Sequence, residues 1–151
     1  MSTTVLAFDF GVKNIGVAIG QSEIHSAKPL KGLKAREGQP NWGEIEALLN
    51  EWKPDTVVVG LPLNMDGSEG EITRRARKFA QRIQGRFNQS IAFMDERLSS
   101  FEAKQEAKAE GHSGHYGRNP IDAIAARLIL ESWWRHPNKE AKQEQEQKPN
   151  E

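Results

Sequence analysis

"VLAFDFGVKNIGVAIG" (residues 5–20) sets two apolar runs on either side of a short polar turn. Residues 4–10 and 14–20 read as the strands of a hairpin joined through "GVKN", because apolar, β-branched runs broken by glycine and asparagine mark paired strands. One residue fits that reading poorly. Asp9 stands inside the first run, and an uncompensated buried charge costs roughly several kcal/mol unless it is paired, protonated or bound to a metal. The plainer alternative is that Asp9 caps the turn before Gly11, a role that Asp favours.

Outward from this hairpin, residues 24–30 read as a third strand. "PNWGEIEALLNEWKP" then carries Trp42, Ile45, Leu48, Leu49 and Trp52 at helical spacing, with Pro54 as a stop. "DTVVVGLP" is a continuous apolar run, the pattern of a central strand covered on both faces. A helix over 70–87 places Ile72, Ala76, Phe79, Ala80, Ile83 and Phe87 on one stripe. The strand "SIAFMDE", a helix from Ser99 to about Glu110 and a glycine-rich loop over 111–119 come next. Asn119 and Pro120 form an N-cap and first-turn pair for a last helix over 120–135. This order predicts an α/β domain with a mixed five-stranded sheet: an antiparallel meander, then parallel strands, with helices on both faces. Ligands of such sheets gather at the carboxyl ends of the parallel strands.

The bulk numbers agree with one domain. The chain has 151 residues, with 21 basic and 21 acidic side chains, so charge placement rather than net charge must speak for a partner. Cysteine is absent, which excludes disulfides, thiolate metal sites and a cysteine nucleophile, and suits a reducing cytoplasm. Neither a signal peptide nor a run long enough to span a bilayer is expected. The domain is assigned to residues 1–136. The segment 137–151 holds no large apolar residue and reads as a disordered, charged tail.

Two further acidic positions resemble Asp9 in being oddly placed. Asp95 and Glu96 close the strand before Arg97, and strand alternation lets only one of them face a site shared with Asp9. A surface pair between the strand-end Asp and Arg97 is the plainer reading. Asp122 falls in the first turn of the last helix, where a carboxylate suits the helix dipole. It also shares a stripe with Ala126, Ile129 and Trp133, whereas Arg127, Glu131 and Arg135 account for the solvent face. Carboxylates converging from these places repel one another unless a divalent cation neutralises them. Mg²⁺ or Mn²⁺ matches an all-oxygen donor set, and two such ions can activate water against a phosphodiester.

"FDFGVKNIGVAIG", "VVVGLPLNMDGSEG", "MDERLSS" and "PIDAIAARLIL" together resemble the YqgF (RuvX) family over residues 4 to about 135. That family is described as pre-16S ribosomal RNA nucleases, once proposed as Holliday junction resolvases, with a ribonuclease H-like fold. The resemblance implies Asp9, Glu96 and Asp122 as catalytic, metal-holding carboxylates, with Asp95 as the alternative to Glu96. It also implies Mg²⁺ or Mn²⁺ and a bacterial cytoplasmic protein, with no clear counterpart for a fourth acidic group.

For the substrate, the basic helix and its neighbours supply Arg74, Arg75, Lys78, Arg97 and Arg118 as phosphate contacts, and Lys13 stands at the hairpin tip. No acidic residue interrupts 73–94, although most charge runs are solvated faces. The expected partner is structured RNA, with branched DNA as the alternative, in a monomer or homodimer. A non-catalytic nucleic-acid-binding module is the reading from a different class. A phosphate-binding ATPase, suggested by "DFGVKNIG", ranks last, since such enzymes bind nucleotide between two domains.

Overall fold

The computed structural model describes residues 3–21, 23, 26–98 and 121–135. Its strands are β1 (Thr4–Asp9), β2 (Asn14–Gln21), β3 (Ser26–Arg36), β4 (Gln39–Pro40), β5 (Thr56–Leu61) and β6 (Ile91–Asp95). The helices are α1 (Trp42–Trp52), α2 (Glu71–Phe87) and α3 (Ile121–Arg135), and a 3-10 turn covers Glu96–Leu98. The expected helix after Ser99, the loop over 111–119 and the tail over 137–151 lie outside the described residues.

All the strands join one sheet in the order β4-β3-β2-β1-β5-β6. β1 to β4 form the antiparallel meander, while β5 and β6 add in parallel to β1. Among the described residues the sheet thus has six strands and not the expected five. The third strand runs on to Arg36, and a tight turn through Glu37 (φ 53°) and Gly38 (φ 81°) folds the two-residue β4 back onto it. Pairs this short carry too little periodicity to be legible in sequence.

Helices cover both faces. Beneath α1 and α2, Phe8, Phe10, Val17, Val57, Val59 and Leu61 pack against Leu48, Ala76, Phe79 and Ile83. Phe79 is the hub: its ring meets Phe8 edge-on at 5.5 Å, Phe10 at 5.3 Å and Trp42 stacked at 5.9 Å. On the other face Val5, Ala7, Val58, Ala92 and Met94 pack against Ile129 and Leu130 of α3, with Trp133 and Trp134 closing the edge.

One expected core position on α2 changes. Ile72 is exposed and Thr73 is buried instead. The Thr73 hydroxyl donates to the Pro62 carbonyl at 2.6 Å and accepts from the Gly70 amide at 3.2 Å. Capping therefore turns Thr73 inward at the helix start, where the hydrophobic stripe alone would have put isoleucine.

Candidate active site

Parallel pairing sets up the site. Phe8 on β1 stands opposite Val59 on β5, so Asp9 and Gly60 are the next residues along each strand. On the other side of β5, Gly60 pairs with Met94 and Leu61 with Asp95. Phe8, Val59 and Leu61 belong to the core under α1 and α2, whereas Ala7, Val58 and Met94 belong to the core under α3. Because side chains alternate along a strand, Asp9 and the α-hydrogen face of Gly60 look toward α3. Asp95 looks toward α2.

Glu96 reaches back over the α3 face. A β-carbon at Gly60 would lie 2.6 Å from Glu96 Oε2, 3.0 Å from Glu96 Cγ and 2.5 Å from Ile129 Cδ1. A β-carbon there would push the ends of the Glu96 and Ile129 side chains aside, so glycine leaves that carboxylate its place between strand and helix. The glycine in "VVVGLP" is therefore a residue of the candidate site that the sequence reading passed over. Its signal was there: a glycine inside a β-branched run marks a close approach.

Asp95, by contrast, is gripped by Arg97. The guanidinium donates through Nη2 at 2.7 Å and through Nε at 3.1 Å to each carboxylate oxygen, and the Arg97 amide donates to Oδ1 at 2.9 Å. This two-pronged contact holds the Arg97 guanidinium above its usual range. Arg97 Nη1 also donates to the Met65 carbonyl at 3.2 Å. The end of β6 is thereby fastened to the loop between β5 and α2, with Glu96 between the two fastened residues.

That loop is braced by its own polar groups. Asn64 accepts from the Gly67 amide and Asp66 accepts from the amide and hydroxyl of Ser68, all at 2.9 Å or less. The Ser68 bonds hold the Asp66 carboxyl below its ordinary range.

α3 brings in the third expected carboxylate position. Ile129 sits over Gly60, while Leu130 and Trp134 sit at Gly20, which pairs with Val5 near the start of β1. The helix therefore runs from the carboxyl ends of the parallel strands back toward their amino ends. Position 122 lies two turns before Ile129, on the same side of the helix axis. The Asp122 side chain and Arg118 lie outside the described residues, and among the described residues no three acidic or histidine side chains cluster as a metal site. Arg127 and Glu131 pair at 3.7 Å as the i, i+4 spacing predicts.

The basic residues divide into separate groups. Arg77 pairs with Glu69 at 2.7 Å and lies over the Phe93 ring, and Arg74 donates to the Glu69 carbonyl. Arg86 stacks on Trp42. Arg75 meets Glu71 at 3.3 Å, while Lys78 and Arg82 share its side of the helix. Lys13 is exposed on the hairpin at the carboxyl end of β1.

A family model described as "RuvX: Holliday junction resolvase" matches residues 3–136. A protein of Saccharophagus degradans named "Putative pre-16S rRNA nuclease" is 61% identical over 90% of this chain and 96% of its own length. A Haemophilus ducreyi protein of the same name is 54% identical over 89% of this chain and 97% of its own. Among solved structures, Thermus thermophilus RuvC in complex with a Holliday junction covers 87% of this chain and 95% of its own at TM-score 0.53 and 18% identity. The fowlpox virus resolvase with junction DNA covers 87% of this chain and 97% of its own at TM-score 0.52 and 17% identity. Those two likenesses show the ribonuclease H-like fold.

Proposed function

Since the chain belongs to the RuvX family, we propose that it is a divalent-metal-dependent nuclease that trims the 5′ end of pre-16S ribosomal RNA in a bacterial cytoplasm. The observation that carries the catalytic reading is the seat of Glu96 on the bare backbone of Gly60, on the face and at the strand end that Asp9 shares. The substrate rests on the relatives: those named for pre-16S rRNA are 52–61% identical over nearly their whole length, whereas the junction resolvases share 18% or less.

Asp9 and Glu96, with Asp122 as third donor, would hold Mg²⁺ or Mn²⁺. The donor set is all oxygen and the bare backbone of Gly60 gives the Glu96 carboxylate its seat between strand and helix, which suits a hard cation. Such an ion, when bound, supplies an activated water and neutralises the charge that builds on a phosphodiester in the transition state. The chain's own residues do the rest. Asp9 and Glu96 are set by two strands and a turn rather than by a loose loop, so little reorganisation is needed on binding. The Asp95–Arg97 fork holds the turn that carries Glu96, and the cations of α2 offset the charge of the RNA backbone.

Purified wild type and Asp9→Asn, each offered pre-16S RNA and four-way DNA under the same Mg²⁺, test this reading. The expected result is RNA cleavage by wild type alone, with RNA binding retained by the variant. Cleavage of the junction in preference to RNA makes the chain a resolvase. Binding without cleavage by wild type in both Mg²⁺ and Mn²⁺ makes it a binding module.

A further inference from the structure

A pocket of about 210 Å³ opens between α2 and the β3–β4 turn, lined by Phe10, Phe79, Arg75, Lys78, Arg82 and the turn residues 37–39. Arg75, Lys78 and Arg82 are spaced three and then four residues apart, so they project from one side of α2. Three cations therefore face a single lining carboxylate, that of Glu37. Lys78 and Arg82 make no ion pair among the described residues, and the pair Arg75 does make, with Glu71, lies in solvent. The volume corresponds to roughly seven waters of liquid, room for a phosphodiester group and part of its hydration.

The pocket floor argues against a base. Phe10 and Phe79 are only 7% and 2% exposed, so neither ring offers a face for stacking. Charge is what the pocket has to offer.

We propose that this pocket is a phosphate seat for the RNA backbone, distinct from the cleavage site. The proposal rests on the RNA-processing reading above. Phe10, at the floor, directly follows Asp9, whose side chain looks to the opposite face of the sheet. A strand cleaved at Asp9 and seated here must round the carboxyl end of β1, so the seat selects RNA that bends sharply beside the scissile bond. Arg74 and Arg77, turned toward Glu69, stand outside this seat.

The test is metal-free binding of an RNA oligomer by the full chain in EDTA, followed by anisotropy across a salt series. Replacing Lys78 and Arg82 together by Gln should lower the salt slope by about 0.7 to 0.9, the loss of one seated phosphate. The charge-keeping pair Lys78→Arg with Arg82→Lys should hold the wild-type slope, and removing Lys28 and Lys53, exposed elsewhere, should shift it by less than about 0.5. A Gln pair that leaves the slope unchanged, or a control pair that lowers it equally, overturns the seat. A dependence on 5′-phosphorylation of the oligomer assigns the pocket to a terminal phosphate and overturns the backbone assignment. Failure of wild type to bind RNA at all counts against the RNA reading itself, and is told apart by that result.

Discussion

Glu96 Oε2 lies 2.6 Å from where a β-carbon of Gly60 would stand. One missing methyl group thus joins the end of β6 to the middle of the sheet. The carboxylate of a residue beyond the last strand comes to lie over β5, on the face toward which Asp9 of the neighbouring β1 also looks. This relationship makes Gly60 the most sensitive single position for the proposed chemistry.

Gly60→Ala forces a methyl against Glu96 and Ile129 together. The clash is with side-chain ends that can swing aside, so the cost should lie at about 1 kcal/mol, the low end for overpacking, with a modest fall in melting temperature. Mn²⁺ affinity should fall with it, by about tenfold, the scale on which a displaced support of a metal ligand is felt. Calorimetric Mn²⁺ titration beside a thermal melt checks both. A variant that is destabilised yet binds Mn²⁺ as wild type does would separate Glu96 from the metal.

Asp122→Asn removes a negative charge from the start of α3. If the carboxylates repel one another in the metal-free protein, the variant should bind Mn²⁺ more weakly while its metal-free melting temperature stays level or rises. A clear drop in metal-free melting temperature would identify Asp122 as a helix-dipole partner only.

Arg97→Lys keeps the charge and loses the two-pronged grip on Asp95, since an ammonium cannot match a planar fork. The positioning role predicted for Arg97, through the turn that carries Glu96, is set against its expected role as a phosphate contact. The expected signature is a kcat lower by about tenfold, with KM and the salt slope of RNA binding close to wild type. A raised KM with a flatter salt slope would mean that the guanidinium touches RNA phosphate directly.

Asp66 gives a pH dependence with a definite sign. Its carboxyl is held below the ordinary range by Ser68, so the bonds bracing the β5–α2 loop are fully present above the unfolded carboxylate range. They are lost as pH falls through the lowered folded-state value. The Ser68 amide resonance should titrate in that acidic window, and Asp66→Asn should abolish the transition.

Phe79→Ala empties the hub that Phe8, Phe10 and Trp42 share. A loss of about 3–5 kcal/mol is expected from a cavity of this kind. Chemical denaturation measures it. Because Phe79 also floors the pocket on α2, the salt slope of RNA binding should change with it.

Local chemistry was enough to reveal most of the fold. The hairpin of β1 and β2, the central strand β5 and the helices α1, α2 and α3 follow from periodicity and caps acting within a few residues, and those forces are written in the chain itself. Asp9 stood out for the same reason, as a carboxylate in an apolar run, and Asp122 as the head of an apolar helix stripe, whereas Glu96 was set above Asp95 only by the family resemblance. Tertiary structure alone decided which of Asp95 and Glu96 turns to the face of Asp9, because that depends on strand register against β5 and on the turn after β6. Register also explains why Glu96 and Ile129 close on the bare Gly60 and why Arg97 closes on Asp95. The division of α2's cations between Glu69 and the β3–β4 turn has the same origin, since a helix's neighbours are set by packing across the sheet and not by its own sequence.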